Sequence, residues 1–224
     1  MFTGLIAELG RVEWVEERTG AMRIRVAAPT LAARLAEGDS IAVSGVCLTA
    51  LAITPQAFEA DLAKETIART SLSRLQPGTA VNLELPTPAG TPLGGHVVQG
   101  HVDGVGHLRS LTAVAAAASG ESDWVLELTA PPAVARYVVE KGSITVEGIS
   151  LTVASVAHQP AGEATVTIAI IPHTYAATNL HTLDSGDEMN LEADVLAKYA
   201  EQRARLERHP QSQITEESLI AAGF

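Results

Sequence analysis

Short runs alternating apolar and polar residues recur along the chain: "MRIRVA" from Met22, "AFEADL" from Ala57 and "AVNLEL" from Ala80, then "WVLEL" from Trp124, "TVTIAI" from Thr165 and "EMNLEA" from Glu188. Period-two alternation sends every second side chain to one face, which predicts strands with one face on a core. Two stretches break the alternation as short helical inserts. "TLAARLAEG" is expected to start at an N-cap on Thr30 and stop at Gly38; "PPAVARYVVEKG" is expected to start at its prolines and stop at Gly142. About six short strands and one small helix in each ~100-residue half predict a closed antiparallel barrel, which leaves no strand edge exposed.

The two halves repeat each other. "DSIAVSGVCLTA" from Asp39 aligns with "GSITVEGISLTV" from Gly142, so that Ser40, Ile41, Val43, Gly45, Leu48 and Thr49 return as Ser143, Ile144, Val146, Gly148, Leu151 and Thr152. "TIARTSLSRLQPGTAVNLE" from Thr66 aligns with "TYAATNLHTLDSGDEMNLE" from Thr174, and "GLIAELGRV" from Gly4 more faintly with "GHVDGVGHL" from Gly100. Two repeats are too few for a solenoid. The expected fold is mainly β: two homologous six-stranded antiparallel β-barrels in tandem, over 1–97 and 98–193, joined through the Pro/Gly-rich "PTPAGTPLGG". The alanine-rich "AVAAAASGE" from Ala113 reads as a loop variation away from any site.

Residues 194–224 have no counterpart in the first half. "DVLAKYAEQRARLERH" from Asp194 to His209 predicts a helix with Val195, Tyr199 and Leu206 on one face, and "TEESLIAAGF" offers an N-cap at Thr215 and a stop at Gly223. An apolar stripe outside two closed barrels predicts a contact between subunits.

A net charge of −11 argues against nucleic acid or an anionic membrane as the main partner. The single cysteine rules out an intramolecular disulfide and fits a reducing cytoplasm. No run reaches the ~18 apolar residues of a membrane span, and the first residues do not read as a signal peptide.

Chemistry concentrates where the repeat changes an atom: Cys47 in "SGVCLTA" becomes Ser150 in "EGISLTV". A lone cysteine is either core packing or a nucleophile. His96 and His101 flank "VVQG" and either cap strands or handle protons. Lys141 either favours a helix C-terminus or meets a ligand, and Asp194 is a helix N-cap, a catalytic carboxylate or both. No C-x-x-C or H-x-x-x-H spacing is present, so no metal is expected.

Together "MFTGLI", "GVCLTA", "DLAKETIARTSL", "GGHVVQGHVDGVG", "KGSITVEGISLTV" and "IIPHTYAATNL" resemble the riboflavin synthase family of the alpha-chain type, in family order and across essentially the whole chain. The resemblance implies a transferase needing no cofactor. Two molecules of 6,7-dimethyl-8-ribityllumazine exchange a four-carbon unit, giving riboflavin and 5-amino-6-ribitylamino-uracil. It also implies a homotrimer, in which the N-terminal barrel of one subunit faces the C-terminal barrel of the next, and an association with lumazine synthase. A doubled pocket suits a reaction that consumes two copies of one substrate.

By matched position, the resemblance places Cys47, Leu48 and Thr49 in the N-terminal pocket. Gly4, Leu5 and Ile6 lie beneath the ring there, with Asp61, Leu62, Ala63, Lys64, Glu65 and Thr66 on the other side. In the C-terminal barrel the same jobs fall to Gly100, His101 and Val102, to Ser150, Leu151 and Thr152, and to Ile170, Ile171, Pro172, His173, Thr174 and Tyr175, with Lys141 at the mouth. Catalytic candidates are Cys47, His101, Ser150 and Thr152: Cys47 or Ser150 as nucleophile, directly or through water, and His101 as proton handler. One rival is a non-enzymatic lumazine- or flavin-binding protein of the same fold. Another, a reductase barrel, needs a nicotinamide-binding βαβ unit that the sequence lacks.

Overall fold

The computed structural model describes residues 1–114, 122–208, 216–221 and 223. Most of the expected loop from Ala113, the expected cap Thr215 and His209 lie outside the described residues. The chain divides into two units, Met1–Asp194 and Val195–Phe224.

The first unit is built twice over. Its first half contains β1 (Glu8–Arg18), β2 (Ala21–Ala27), β3 (Ser40–Val43), β4 (Val46–Thr49), β5 (Ala57–Ala63), helix α1 (Lys64–Arg69) and β6 (Ala80–Glu84). The second contains β7 (Gly104–Ala113), β8 (Trp124–Ala130), α2 (Pro132–Ala135), β9 (Ser143–Val146), β10 (Ile149–His158), β11 (Ala164–Ile170), α3 (Pro172–Ala177) and β12 (Glu188–Ala193). The strand orders β4-β3-β6-β1-β2-β5 and β10-β11-β8-β7-β12-β9 follow the same cycle once equivalent strands are matched. The second sheet is a closed barrel because β10 is long enough to pair β9 through Ile149–Thr152 and β11 through Val153–His158. In the first sheet β4 is only four residues long. The backbone turns at Ala52 (φ 42°), and the ends meet through one bridge, with Leu51 and Glu59 exchanging N–H···O bonds of 2.8 Å.

Alternation delivers the cores as the sequence indicates. Ile24, Val26, Ile41, Phe58, Leu62 and Leu83 fill the first barrel; Leu126, Leu128, Ile144, Ile168, Met189 and Leu191 fill the second. Matching register shifts at Val12/Trp14 and Leu108/Ser110 are bulges that curve β1 and β7.

Helical segments depart from expectation. The insert at 30–38 is a single 3-10 turn, Ala32–Arg34, following Leu31 rather than an N-cap on Thr30. Its free amides are taken instead by Glu8 of β1, whose carboxylate accepts from Thr30 N (3.0 Å) and Leu31 N (2.8 Å). Helix α2 stops at Ala135, and Tyr137 and Val138 continue in i→i−3 turns. Lys141 therefore stands six residues beyond the helix end (135 to 141), which removes its helix C-terminus reading. Helices α1 and α3 were not foreseen. Each ends in a 3-10 turn begun by an equivalent threonine: Thr70 and Thr178 donate Oγ1–H to Thr66 and Thr174 carbonyls at 2.7 Å and accept from Leu72 and Leu180 amides.

The barrels meet at the repeated loop. Ser44–Gly45 and Glu147–Gly148 are two-residue turns with positive φ throughout (43°, 80°, 50° and 81°), the primed hairpin geometry. Their tips abut so closely that a Cβ on Gly45 would lie 2.8 Å from Gly148 N. Around them the repeat acts as a pair of latches: Asn82 Nδ2 donates to Glu147 O and Asn190 Nδ2 to Ser44 O, both at 2.9 Å. Asn82 Oδ1 accepts from Asn179 N (2.7 Å) and Asn190 Oδ1 from Ser71 N (2.8 Å). Glu147 breaks the symmetry. Its buried carboxylate, where the other half has Ser44, accepts from Asn190 N (2.6 Å), Asn179 Nδ2 (2.9 Å) and Ser71 Oγ (3.4 Å).

The second unit holds helix α4 (Val195–Arg208), within the predicted Asp194–His209 span, and helix α5 (Glu216–Ala221). Leu196, Tyr199 and Leu206 of α4 are exposed. Among the described residues no helix is long and apolar enough to cross a membrane.

Burial pushes the Glu147 carboxyl above the ordinary glutamate range, against the opposing pull of its hydrogen bonds. The folded state then holds this proton more tightly than the unfolded chain, so stability falls as pH rises from the ordinary glutamate pKa through the raised one. Urea unfolding of wild type and Glu147→Gln between about pH 5 and about pH 8 is expected to show wild type losing ground to the variant as pH rises. A pH-independent difference contradicts this.

Candidate active site

Both pockets start from segments that lead into a barrel. Residues 2–7 precede β1 and residues 98–103 precede β7, and the two segments pair with each other: Phe2 N donates to Val98 O (2.8 Å) and Val98 N to Phe2 O (3.1 Å). Each is then held by a buried glutamate at the end of a strand. Glu84 on β6 accepts from Thr3 N and Thr3 Oγ1 (both 2.7 Å) and from Gly4 N (2.9 Å). Glu192, its repeat equivalent on β12, accepts from Gln99 N (2.7 Å), Gly100 N (2.9 Å) and His101 N (2.9 Å).

From there the segments cross over. Cys47 N donates to Gly100 O at 2.9 Å, and Val102 packs against the first barrel's core. Ser150 N donates to Gly4 O at 2.8 Å, and Ile6 packs against the second barrel's core. Both contacts require glycine. At φ +79° a Cβ on Gly100 would lie 2.7 Å from Cys47 Cβ, and at φ +76° one on Gly4 would lie 2.6 Å from Ser150 Cβ. This corrects the sequence-based grouping. Gly4–Ile6 accompany Ser150 and not Cys47; Gly100–Val102 accompany Cys47 and not Ser150. The repeat reveals equivalent positions, whereas contact depends on the path of the chain between barrels.

Half-buried Cys47 opens on a cleft of ≈ 410 Å³ lined also by Val46, Glu65, Thr66, Arg69, Thr70 and Gly100–Asp103. The structure thus brings Cys47, Glu65, Thr66, Gly100, His101 and Val102 together. A larger cleft of ≈ 460 Å³ lies along the barrel seam, among Arg74, Glu147, Asn179 and Glu188, but contains neither Cys47 nor Ser150. We place the site at the smaller cleft and around Ser150, the position equivalent to Cys47, because these hold the groups that can act as nucleophiles.

Beside Ser150 lies a group that sequence reasoning ranked too low. Half-buried His96 has Nδ1 2.7 Å from Ser150 Oγ and Nε2 3.1 Å from the Oγ1 of buried Thr145. Burial pulls the imidazole below the ordinary histidine range, while the negative charge of Asp194 opposes it. A neutral ring bridging two hydroxyls can accept a proton from Ser150. The linker covers this side: a Cβ on Gly95 would lie 3.1 Å from Ser150 Oγ.

Other predicted residues are distributed unevenly. Leu48, Leu62, Leu151 and Ile170 are buried, while Thr49 and Thr152 are exposed. Asp61 is an exposed strand residue gripped in bidentate fashion by Arg23 at 2.6 Å, which holds its carboxyl below the usual range; it does not line the Cys47 cleft. Ala63 and Lys64 open α1; exposed Ile171, Pro172 and exposed His173 open α3. Thr174 is half-buried, and Tyr175 stacks on Trp124 at 3.8 Å. Leu5 and Lys141 are exposed, the latter at φ 64° with its amide on Val153 O (2.9 Å). Among the described residues no cluster of three His, Cys, Asp or Glu groups is placed to hold a metal ion. Sequence reasoning missed Arg69, Glu84 and Glu192. The glutamates did carry a signal: Asn82-Leu83-Glu84 returns unchanged as Asn190-Leu191-Glu192 at equivalent places near the ends of β6 and β12.

The family model "Lumazine binding domain" matches residues 3–86 and again 99–194. Riboflavin synthase of Mycobacterium tuberculosis is 43% identical over 206 residues, covering 92% of this chain and 98% of that protein. Riboflavin synthase of Actinobacillus pleuropneumoniae is 37% identical over 226 residues, covering 100% of each. The solved structure of LumP complexed with riboflavin matches with a TM-score of 0.77 at 21% identity, over 86% of this chain and 99% of that one. The fold and the paired match define a tandem lumazine-binding-domain protein. The chain belongs to the riboflavin synthase family.

Nitrogen-detected NMR is expected to find His96 titrating below the ordinary histidine range, and lower still in Asp194→Asn, because the charge opposing desolvation is gone. An unchanged or raised value in that variant refutes this electrostatic reading.

Proposed function

We propose that this chain is a riboflavin synthase: it converts two molecules of 6,7-dimethyl-8-ribityllumazine into riboflavin and 5-amino-6-ribitylamino-uracil by transfer of a four-carbon unit. The observation that carries the reading is a pair of equivalent strand positions with unlike reactive groups, Cys47 on a cleft shared with His101 and Ser150 beside His96. Full-length similarity to riboflavin synthases supports it.

The reaction needs a nucleophile at the ring carbon bearing one methyl group, a base for a methyl proton, and two rings held in register. Ser150, with His96 Nδ1 at 2.7 Å, is the better prepared oxygen nucleophile, directly or through water. Cys47 supplies sulfur in the other pocket, and His101 handles protons beside it. Main-chain amides and carbonyls of the Gly4–Ile6 and Gly100–Val102 segments suit a pteridine-like ring edge; Thr49, Thr66, Thr152 and Thr174 suit the ribityl hydroxyls. Thr152 and Lys141 belong to the rim of the Ser150 pocket. The working form is a cytoplasmic homotrimer, for which the exposed Leu196, Tyr199 and Leu206 provide apolar surface, and it associates with lumazine synthase. Each reaction centre joins the Cys47 pocket of one subunit to the Ser150 pocket of its neighbour.

Mixing the purified protein with 6,7-dimethyl-8-ribityllumazine is expected to produce riboflavin absorbance without added cofactor. A chromophore that binds and stays unchanged would make this a carrier of the same fold. His96→Ala is expected to slow turnover by about 100-fold, the ordinary contribution of a positioned acid–base group. A rate within about twofold of wild type would return His96 to a structural role. The between-subunit centre predicts complementation. Cys47→Ala/Thr49→Ala and Lys141→Ala/Ser150→Ala chains are each expected to be nearly inactive, and mixed trimers refolded from both regain activity. Verified mixed trimers without recovery contradict it.

A further inference from the structure

The two leading-segment glutamates sit in one barrel and hold a wall of the pocket in the other. Glu192 lies next to the end of β12 of the second barrel, yet the three amides it receives belong to Gln99, Gly100 and His101, of which Gly100 and His101 line the Cys47 cleft on the first. Glu84 ends β6 of the first barrel, yet the amides of Thr3 and Gly4 that it receives belong to the segment seated on Ser150. Both carboxylates are buried, at 2% and 6% exposure, so these main-chain donors offset the cost of taking them out of water. A carboxylate that takes several main-chain N–H groups fixes the segment's peptide planes and therefore the direction of the carbonyls that follow. Gly100 O and Gly4 O receive the Cys47 and Ser150 amides in turn.

We infer that Glu192 and Glu84 are positioning residues for catalysis that act in exchange: Glu192 shapes the Cys47 pocket and Glu84 the Ser150 pocket, each across the barrel boundary. The catalytic part rests on the riboflavin synthase reading. Neither glutamate touches the reacting groups. Each acts through a glycine at positive φ, and each orients a single ring-facing segment. Loss of either leaves its own barrel's pocket strands intact and misaligns the wall of the other.

Isosteric Glu192→Gln and Glu84→Gln test this, because an amide replaces one accepting oxygen by a donor that opposes the main-chain N–H groups. Cys47 is the only cysteine, so its rate with a nitrobenzoate disulfide reagent reports on one pocket alone. Glu192→Gln is expected to change that rate by about tenfold and to weaken protection by added riboflavin, while Glu84→Gln leaves both within about twofold of wild type. In turnover, both variants are expected to lower kcat/KM by about tenfold at matched thermal stability. Should a glutamine variant not fold, the aspartate variant at that position, which withdraws the carboxylate by one methylene, is expected to give the same pattern. Equal effects of the two substitutions on Cys47, or no effect of Glu192→Gln, overturn the exchange. If wild type turns over no lumazine, the functional reading fails, and the Cys47 rates still decide whether the walls are exchanged.

Discussion

Everything distinctive here depends on two buried carboxylates filled by main-chain amides. A glutamate in a protein interior is costly unless its oxygens are filled by donors, and short bonds from N–H groups offset that cost, although at Glu84 burial still holds the carboxyl above the ordinary glutamate range against them. Glu84 and Glu192 draw these bonds from the amides of segments that would otherwise be loose leaders. Since the leaders also pair through Phe2 and Val98, fixing one helps to fix the other. The barrels are thus joined by exchanged walls as well as by the abutting Gly45 and Gly148 turns.

Within this near-symmetric frame the chemistry is unequal. Equivalent strand positions carry Cys47 and Ser150; equivalent helix positions carry Arg69 and Ala177, or Glu65 and His173. His96 reaches Ser150 from the linker, and Glu147 occupies the turn position that holds Ser44 in the other half. Two molecules of one substrate can therefore be held alike and treated differently, as a donor–acceptor exchange requires.

Much of this was legible in the sequence. Strands such as Ala21–Ala27 declare themselves because one buried face imposes strict alternation, and the repeat of Asn82, Leu83 and Glu84 as Asn190, Leu191 and Glu192 marks equivalent strand ends. Helices α1 and α3 were not legible: six residues make fewer than two turns, too few to display a period. The partnership of Gly4 with Ser150, and of Gly100 with Cys47, was hidden for a different reason. A repeat specifies which positions are alike and is silent on which copy a connecting segment visits. His96 gave only a histidine near a linker, since its meaning depends on Ser150 and Thr145, which are far away in sequence.

Strands of each barrel meet the leader of the other at Cys47 and at Ser150. A crystal structure with 6,7-dimethyl-8-ribityllumazine bound tests this arrangement most directly. Two ligands per chain are expected, one between Cys47 and the Gly100–Val102 segment and one between Ser150 and the Gly4–Ile6 segment. A single ligand per chain, or ligands held by Cys47 with Gly4 and by Ser150 with Gly100, would contradict it.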